Sequence, residues 1–132
     1  LPLKLEGELC VAPVGLRFDD GSSFEPDLFW VGPDNVNCVL EPEGRYWRGA
    51  PDLVIEILSP STASNDRGIK YETYERYGVR EYWLVDPDAK FTEVYHHDGT
   101  KFVRQGVFKA GQSFTSAVLN DATIVTQSWF SE

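Results

Sequence analysis

One acidic residue lies within an apolar stretch of the chain. Residues 51–58 read PDLVIEIL, and Glu56 is the charged side chain that interrupts the apolar run from Leu53 to Leu58. A near-continuous apolar run of this length is typical of a strand buried on both faces. Because an ionised carboxylate is costly to bury unless it is paired or bound to a metal, Glu56 indicates either a functional site or a buried ion pair with an arginine.

Two aspartates are candidates to share a metal ion with Glu56. Asp52 falls on the same face of the strand, but four residues of strand separate the two side chains by about 13 Å, too far for one ion. Asp27 belongs to the preceding predicted strand, and cross-strand neighbours approach within roughly 5.5 Å. A pair of carboxylates suits Mg²⁺ or Mn²⁺. The alternative is structural: Asp27 and Asp52 each follow a proline and simply start a strand.

The elements that must position these residues follow from the apolar pattern. It predicts strands over 8–18, 23–31, 51–58 and 81–86, and a hairpin of 91–96 with 101–107 around the Asp98-Gly99 turn. A helix is predicted over 66–77, with a buried face of Ile69, Tyr74 and Tyr77 and with Gly78 as its C-cap. Residues 32–49 read as an irregular connection, and the tail after Gly111 as one or two short strands.

This order of elements predicts a mixed β-sheet. The strand–helix–strand crossover favours two parallel neighbours, whereas the opening strands favour antiparallel pairing. We therefore expect an α/β or α+β fold with a helix on one face and a C-terminal hairpin. The 132 residues, 42% of them apolar, suffice for a single domain over 1–132. No helix is predicted for the other face of the sheet.

Composition narrows the classes of function. The net charge of −9 argues against a protein that coats nucleic acid or an anionic membrane by bulk charge. No apolar run approaches the roughly 18 residues of a membrane span. We therefore expect no membrane partner and a cytoplasmic location. Cys10 and Cys38 are predicted to be buried thiols of a reducing compartment.

The central block of the chain resembles a known family. Its residues are PDLVIEILSPST at 51–62, then Asp66, Lys70, Tyr74 and Gly78-Val79, and EYWLVDP at 81–87. This block resembles the Uma family, a large bacterial family classed with the restriction endonucleases. The resemblance extends upstream through Ala12-Pro13-Val14 and Pro26-Asp27 and downstream through Val94-Tyr95, and so covers nearly the whole chain.

The resemblance implies a fold and a catalytic set. The family is assigned to the PD-(D/E)XK nuclease superfamily, whose restriction-endonuclease-like core runs helix, three strands, helix, strand. It implies that Asp27 and Glu56 bind Mg²⁺ (or Mn²⁺) together with the strand carbonyl of Ile57. The superfamily's strand lysine falls on Leu58, which does no acid–base work; the resemblance implies that Lys70, on the helix, takes that role.

Further residues border the implied site. Asp52 is expected either beside the site or as a hydrogen-bond acceptor at the start of its strand. Asp66 is expected either beside the site or as a cap of the helix. Ser59 borders the site in the family pattern, although nothing near it resembles a general base. The chain starts at Leu1 and contains no Met, so we expect it to lack the segment in which the family pattern places its first helix.

Charge also bears on how a nucleic acid would be held. When the chain is divided into 1–65, 66–80 and 81–132, the middle segment, with four basic and three acidic side chains, is the one of the three without net negative charge. This helix, with Arg45 and Arg48 on either side of Trp47, is expected to contact a phosphate backbone weakly and only with metal bound.

The resemblance thus implies an Mg²⁺-dependent endonuclease that hydrolyses phosphodiester bonds of DNA. The alternative is a catalytically inactive nuclease-fold module that acts through oligomerisation or partner binding. Hydrolysis of another phosphate ester would use the same residues. A homodimer is expected, since restriction-type enzymes cut two strands.

Overall fold

The computed structural model describes residues 6–61 and 63–126. Its elements, in chain order, are β1 Glu8–Val11, β2 Gly15–Arg17, β3 Ser23–Phe24, β4 Leu28–Val31, β5 Val39–Leu40, β6 Tyr46–Arg48, β7 Leu53–Ile57, α1 Ala63–Arg67, α2 Ile69–Tyr77, β8 Glu81–Asp86, β9 Phe91–His97, β10 Phe102–Lys109, β11 Ser113–Ser116, a 3₁₀ turn Ala117–Leu119, and β12 Ala122–Val125.

A six-stranded mixed sheet forms the centre of the fold. Its strand order is β1-β4-β7-β8-β9-β10. The β7 and β8 strands run parallel, because the chain crosses over through α1 and α2 between them. The other four pairings in this sheet are antiparallel. This confirms the predicted mixed sheet, the parallel crossover and the hairpin of β9 and β10.

The opening strands are shorter than predicted. The segment 8–18 divides at Pro13 into β1 and β2, and 23–31 divides near Pro26 into β3 and β4. Proline has no N–H to donate to a strand ladder, so each is a natural place for a strand to stop. The pieces join different sheets, because β2 and β3 pair with β5 and β6 in a second sheet ordered β3-β2-β6-β5. The connection 32–49 is therefore not wholly irregular.

The predicted helix 66–77 is divided at Gly68, whose φ of −108° and ψ of −99° are not helical. The second helix, α2, ends as expected at Gly78, where φ is +79° and the amide donates to the carbonyl of Glu75. Ile69 does not belong to the buried face as predicted, since 58% of it is exposed, whereas Tyr74 is fully buried. Because the helix breaks at Gly68, Ile69 is the first residue of α2, and its side chain is exposed.

Two cores flank the central sheet. One core lies on the helix face, where side chains from α2 and the second sheet pack against alternate residues of the central strands. It includes Leu16, Phe29, Val54, Tyr74, Tyr82 and Leu84. Cys10 and Cys38 lie in this core as free buried thiols, as expected. The other face, for which no covering helix was predicted, is covered in part by the hairpin of β11 and β12 and the 3₁₀ turn. Its core comprises Trp30, Leu53, Trp83, Val94, Phe114, Val118 and Leu119.

A second buried carboxylate attaches that hairpin to the sheet. Glu81 is 1% exposed, and its two carboxylate oxygens accept hydrogen bonds from the Ser116 hydroxyl at 2.6 and 3.2 Å. The Trp83 indole N–H donates to the same carboxylate at 3.3 Å. Burial raises the pKa of Glu81, although these donors oppose the shift. Within the described residues, no helix is long and apolar enough to cross a bilayer.

Truncation of Leu84 tests the core that supports the crossover. Leu84 is 1% exposed and lies on β8 between Glu56 of β7 and Glu93 of β9. We expect Leu84→Ala to lower the free energy of unfolding by about 2–5 kcal/mol, from lost burial and a residual cavity. Urea denaturation measures this change. Val36→Ala, at a residue that is 84% exposed, is the control and should change it by less than about 0.5 kcal/mol.

Candidate active site

Asp27 and Glu56 meet where β4 and β7 run side by side. The antiparallel ladder pairs Leu28 with Ile55, and one further step places Asp27 opposite Glu56. The Asp27 backbone N–H donates to Glu56 Oε1 at 3.2 Å. In return, the Ile57 N–H donates to Asp27 Oδ2 at 2.7 Å. These reciprocal contacts fix each carboxylate against the backbone of the neighbouring segment.

Glu56 is almost completely enclosed. Only 2% of it is exposed, and its Oε2 accepts hydrogen bonds from Lys70 Nζ at 3.2 Å and from the Tyr74 hydroxyl at 3.4 Å. Burial raises the pKa of Glu56 to about 7, although the Lys70 ammonium opposes the shift. The environment thus brings this carboxyl group into the range where it changes charge near neutral pH.

Lys70 reaches Glu56 from the first turn of α2. Burial disfavours its charged form, but the Glu56 and Asp66 carboxylates outweigh burial and raise the pKa of Lys70. Leu58, at the position of the superfamily's strand lysine, is 6% exposed and packs in the helix-face core. The ammonium near Glu56 is therefore supplied by α2 and not by β7.

Asp66 also lies within this group. Its side chain is 2% exposed, and its Oδ1 is 3.0 Å from Lys70 Nζ. Its backbone carbonyl accepts a hydrogen bond from the Tyr82 hydroxyl at 2.9 Å. The structure thus places Asp66 beside the site, where its carboxylate faces Lys70.

Asp52 lies apart from this group, at the N-terminal end of β7. Asp52 Oδ2 accepts hydrogen bonds from the Gly32 N–H at 2.7 Å and from Asn35 Nδ2 at 2.9 Å, and Arg80 contacts Oδ1 at 3.4 Å. Asp52 therefore fastens the end of β4 and the loop after it to the start of β7. It also lines a cleft of about 610 Å³ at that end of the sheet.

Ser59 lies just beyond the other end of β7. Its hydroxyl is 3.1 Å from that of Ser61, and it lines a small cleft together with Asp86 and Asp88. The described contacts do not join Ser59 to Glu56 or Lys70. A role for Ser59 beside the site stays a prediction.

The donor set fits a hard divalent cation. Among the described residues, no group of three or more His, Cys, Asp or Glu side chains is arranged to hold a metal. Mg²⁺, however, keeps several of its waters and is commonly bound through one or two carboxylates, which is what Asp27 and Glu56 offer. Ile57 contributes its amide to Asp27; that its carbonyl is a metal ligand stays a prediction.

Five of the six cations expected to meet a phosphate backbone form ion pairs within the chain; the sixth, Arg45, is exposed and forms none with the described residues. The four between residues 66 and 80 form these ion pairs: Arg67 with Glu93, Lys70 with Glu56 and Asp66, Arg76 with Asp20, and Arg80 with Asp52. Arg48 contacts Asp19 and Glu41, and the Trp47 ring packs edge-on against Phe29. A phosphate contact by these arginines would compete with ion pairs that already exist.

Two contributors near the site were missed from the sequence. Tyr74 was expected only as a core residue, yet its hydroxyl contacts Glu56. Glu93 is 6% exposed, pairs with Arg67, and accepts a hydrogen bond from the Tyr95 hydroxyl at 2.8 Å. The ladder places Glu93 two strands from Glu56, through Leu84. In the sequence, Glu93 could have been recognised as a charged residue within the apolar first half of β9.

The mixed sheet with its helical crossover matches the restriction-endonuclease-like fold that the sequence implied, the fold of a class of nucleases. The fold is similar to the crystal structure of a protein from Anabaena variabilis ATCC 29413, described as "a putative nuclease belonging to DUF820". The two share 21% sequence identity with a TM-score of 0.71, over 95% of this chain and 70% of that one. No curated protein matches this chain. The chain belongs to the Uma2 family, described as "Putative restriction endonuclease", whose model matches residues 2–127; this confirms the resemblance.

Titration of Glu56 tests the electrostatics of the site. We expect the ¹³C signal of its carboxyl group to titrate with a pKa of about 7. Lys70→Gln should raise this pKa, because the Lys70 ammonium favours the charged form of Glu56, and Asp66→Asn should lower it, because the Asp66 carboxylate disfavours that form. Shifts of the same sign in both variants would contradict this arrangement.

Proposed function

We propose that this protein is an Mg²⁺-dependent endonuclease that hydrolyses phosphodiester bonds of DNA in the cytoplasm. The observation that carries the proposal is the convergence of Asp27, just before β4, with Glu56 of β7 and Lys70 of α2, which lie 29 and 14 residues apart along the chain. Family membership supports a nuclease. The buried free thiols of Cys10 and Cys38 suit a reducing compartment.

The two carboxylates are the proposed metal ligands, with the Ile57 carbonyl as a third. When bound, Mg²⁺ or Mn²⁺ polarises the phosphate and lowers the pKa of a coordinated water. The strand ladder sets the separation of Asp27 and Glu56, and the Ile57 amide orients the Asp27 carboxylate. Both ligands are therefore preorganised by backbone contacts.

Lys70 is the proposed catalytic cation. Its ammonium donates to Glu56, so it lies within reach of a water held at the carboxylates. There it would orient that water for attack and offset the negative charge that develops on the phosphoryl oxygens. Its 16% side-chain exposure keeps the ammonium largely away from bulk water, which strengthens its electrostatic effect.

The alternative is an inactive module that acts through oligomerisation or partner binding, and it is favoured by Leu58, which stands where the superfamily has its strand lysine. The position of Lys70 beside Glu56 weakens that argument, because an ammonium is present in the site without the strand lysine. Hydrolysis of a different phosphate ester uses the same three residues. The proposed DNA contact is local and weak, given the net charge of −9, and a homodimer would allow two strands to be cut.

A cleavage assay separates these functions. The intact chain with Mg²⁺ or Mn²⁺ should nick plasmid DNA, and Asp27→Asn or Glu56→Gln should slow this by at least about 10²-fold, since each removes a charge from the metal site. Glu25→Gln, two residues from Asp27 on the exposed surface, is the matched control and should keep full activity. A wild-type chain that cleaves neither DNA nor RNA would contradict the endonuclease and leave the inactive module or hydrolysis of a different phosphate ester.

Metal affinity should depend on pH. The pKa of Glu56 is raised from 4.5 to about 7, so Glu56 carries a proton below pH 7 that a metal ion must displace. We therefore expect the Mn²⁺ dissociation constant, measured by calorimetry, to rise about tenfold for each pH unit below 7 and to level off above it. The same slope in Glu56→Gln would show that another group is responsible.

A further inference from the structure

Lys70 is shared between two buried carboxylates. Its Nζ lies 3.2 Å from Glu56 Oε2 and 3.0 Å from Asp66 Oδ1, and each carboxylate side chain is 2% exposed. One ammonium thus faces two anions in a region from which water is largely excluded. Because buried ionised carboxylates are stable only when they are paired, the presence of Asp66 here calls for an explanation.

Asp66 is held in place more firmly than the acidic residue of an ordinary ion pair within one helix. Exposed ion pairs spaced four residues apart on one helix contribute little to stability. Here the Asp66 carbonyl is bound by the hydroxyl of Tyr82, a fully buried residue of β8, so the central sheet sets the place of α1. Gly68 interrupts the helix between Asp66 and Lys70, so the sheet positions the carboxylate while α2 positions the ammonium.

Asp66 Oδ1 depends on Lys70 in particular. This oxygen is shielded from solvent and has no partner with hydrogen-bond geometry in the described part of the chain, so its contact with Lys70 is an ion pair. It is also outside the proposed ligand set of Asp27 and Glu56. Its charge therefore remains available to Lys70 when Glu56 is engaged elsewhere.

Metal binding would change the surroundings of Lys70. A divalent cation at Glu56 shares the charge of that carboxylate and repels the ammonium, so the hold of Glu56 on Lys70 weakens. An ammonium without a second anion would then move toward solvent, away from the water that it must orient.

We propose that Asp66 is a positioning residue that keeps the Lys70 ammonium beside the site while Glu56 binds the metal. This inference rests on the proposed function and assigns separate roles to the two carboxylates. Glu56 holds Lys70 in the metal-free protein, and Asp66 retains it when the charge of Glu56 is shared.

A metal-free experiment isolates this hold. Glu56→Gln removes the anion of Glu56 without any metal, and the ¹H–¹⁵N signal of a lysine ammonium is observed only when its protons exchange slowly. We expect the Lys70 signal to persist in Glu56→Gln and to vanish in the Glu56→Gln, Asp66→Asn double variant. Lys101, exposed in the β9–β10 turn, is the internal control for a free ammonium. Loss of the Lys70 signal in Glu56→Gln alone would overturn the proposal.

The same signal, recorded with Mg²⁺, tests the loaded site. The Lys70 signal should survive saturating Mg²⁺ in the wild type and disappear in Asp66→Asn, which keeps the signal without Mg²⁺. In cleavage assays, Asp66→Asn should lower kcat on the order of 10²-fold, as expected for a misplaced catalytic group, with KM unchanged. It should have no further effect in a Lys70→Gln background. Additive effects of the two substitutions would mean that Asp66 does not act through Lys70.

Failure of this inference differs from failure of the proposed function. Wild-type cleavage that depends on Mg²⁺, combined with a Lys70 signal that persists in Asp66→Asn with Mg²⁺, refutes only the role of Asp66. A wild-type chain without such cleavage, in which Lys70 nevertheless stays protected in Glu56→Gln, refutes the endonuclease and supports the hold of Asp66 on Lys70. If Asp66→Asn does not fold, the Glu56→Gln measurement alone decides.

Discussion

Burial of the Glu56 carboxylate inside the central sheet is the constraint on which the rest of the site depends. An anion in an apolar strand requires a compensating charge, and the chain supplies it with Lys70 from the crossover helix. That pairing fixes how α2 must lie over the sheet. The backbone of β4 approaches from the other side, where the Asp27 amide donates to the same carboxylate. Burial, Lys70 and Asp27 together place the ionisation of Glu56 near neutral pH.

The same face of the sheet repeats this arrangement. The ladder aligns Glu56, Leu84 and Glu93 across β7, β8 and β9, and each of the two glutamates is met by a cation from the helical crossover. Arg67 pairs with Glu93 from the end of α1, and Lys70 pairs with Glu56 from the start of α2. Two ion pairs and the Tyr82 hydroxyl therefore hold the crossover to the sheet, so that structural support and candidate chemistry share one surface.

The net charge of −9 bears on how the protein would bind a nucleic acid. The basic side chains of residues 66–80 lie in ion pairs with acidic residues from distant parts of the chain, so the helices present little unpaired positive charge to a phosphate backbone. Under the proposed function, a nucleic acid would be held through a cation at the two carboxylates, in contrast to proteins that bind nucleic acid through a basic surface.

The sequence by itself determined the mixed sheet, the parallel crossover and the Gly78 cap, because strand periodicity and capping are local signals, and it marked Glu56 as a buried charge, while the partner of Glu56 stayed open between Asp27 and an arginine. It did not reveal the divisions at Pro13 and Gly68, the exposure of Ile69, or the hairpin that covers the second face. Those depend on which segments pair across long separations. Only the tertiary structure decided that Asp66 and Tyr74 lie beside Glu56 while Asp52 lies at the opposite end of β7. The four-residue spacing of Asp66, Lys70 and Tyr74 shows that they can neighbour one another, but how the crossover packs on the sheet decides which strand residue they meet.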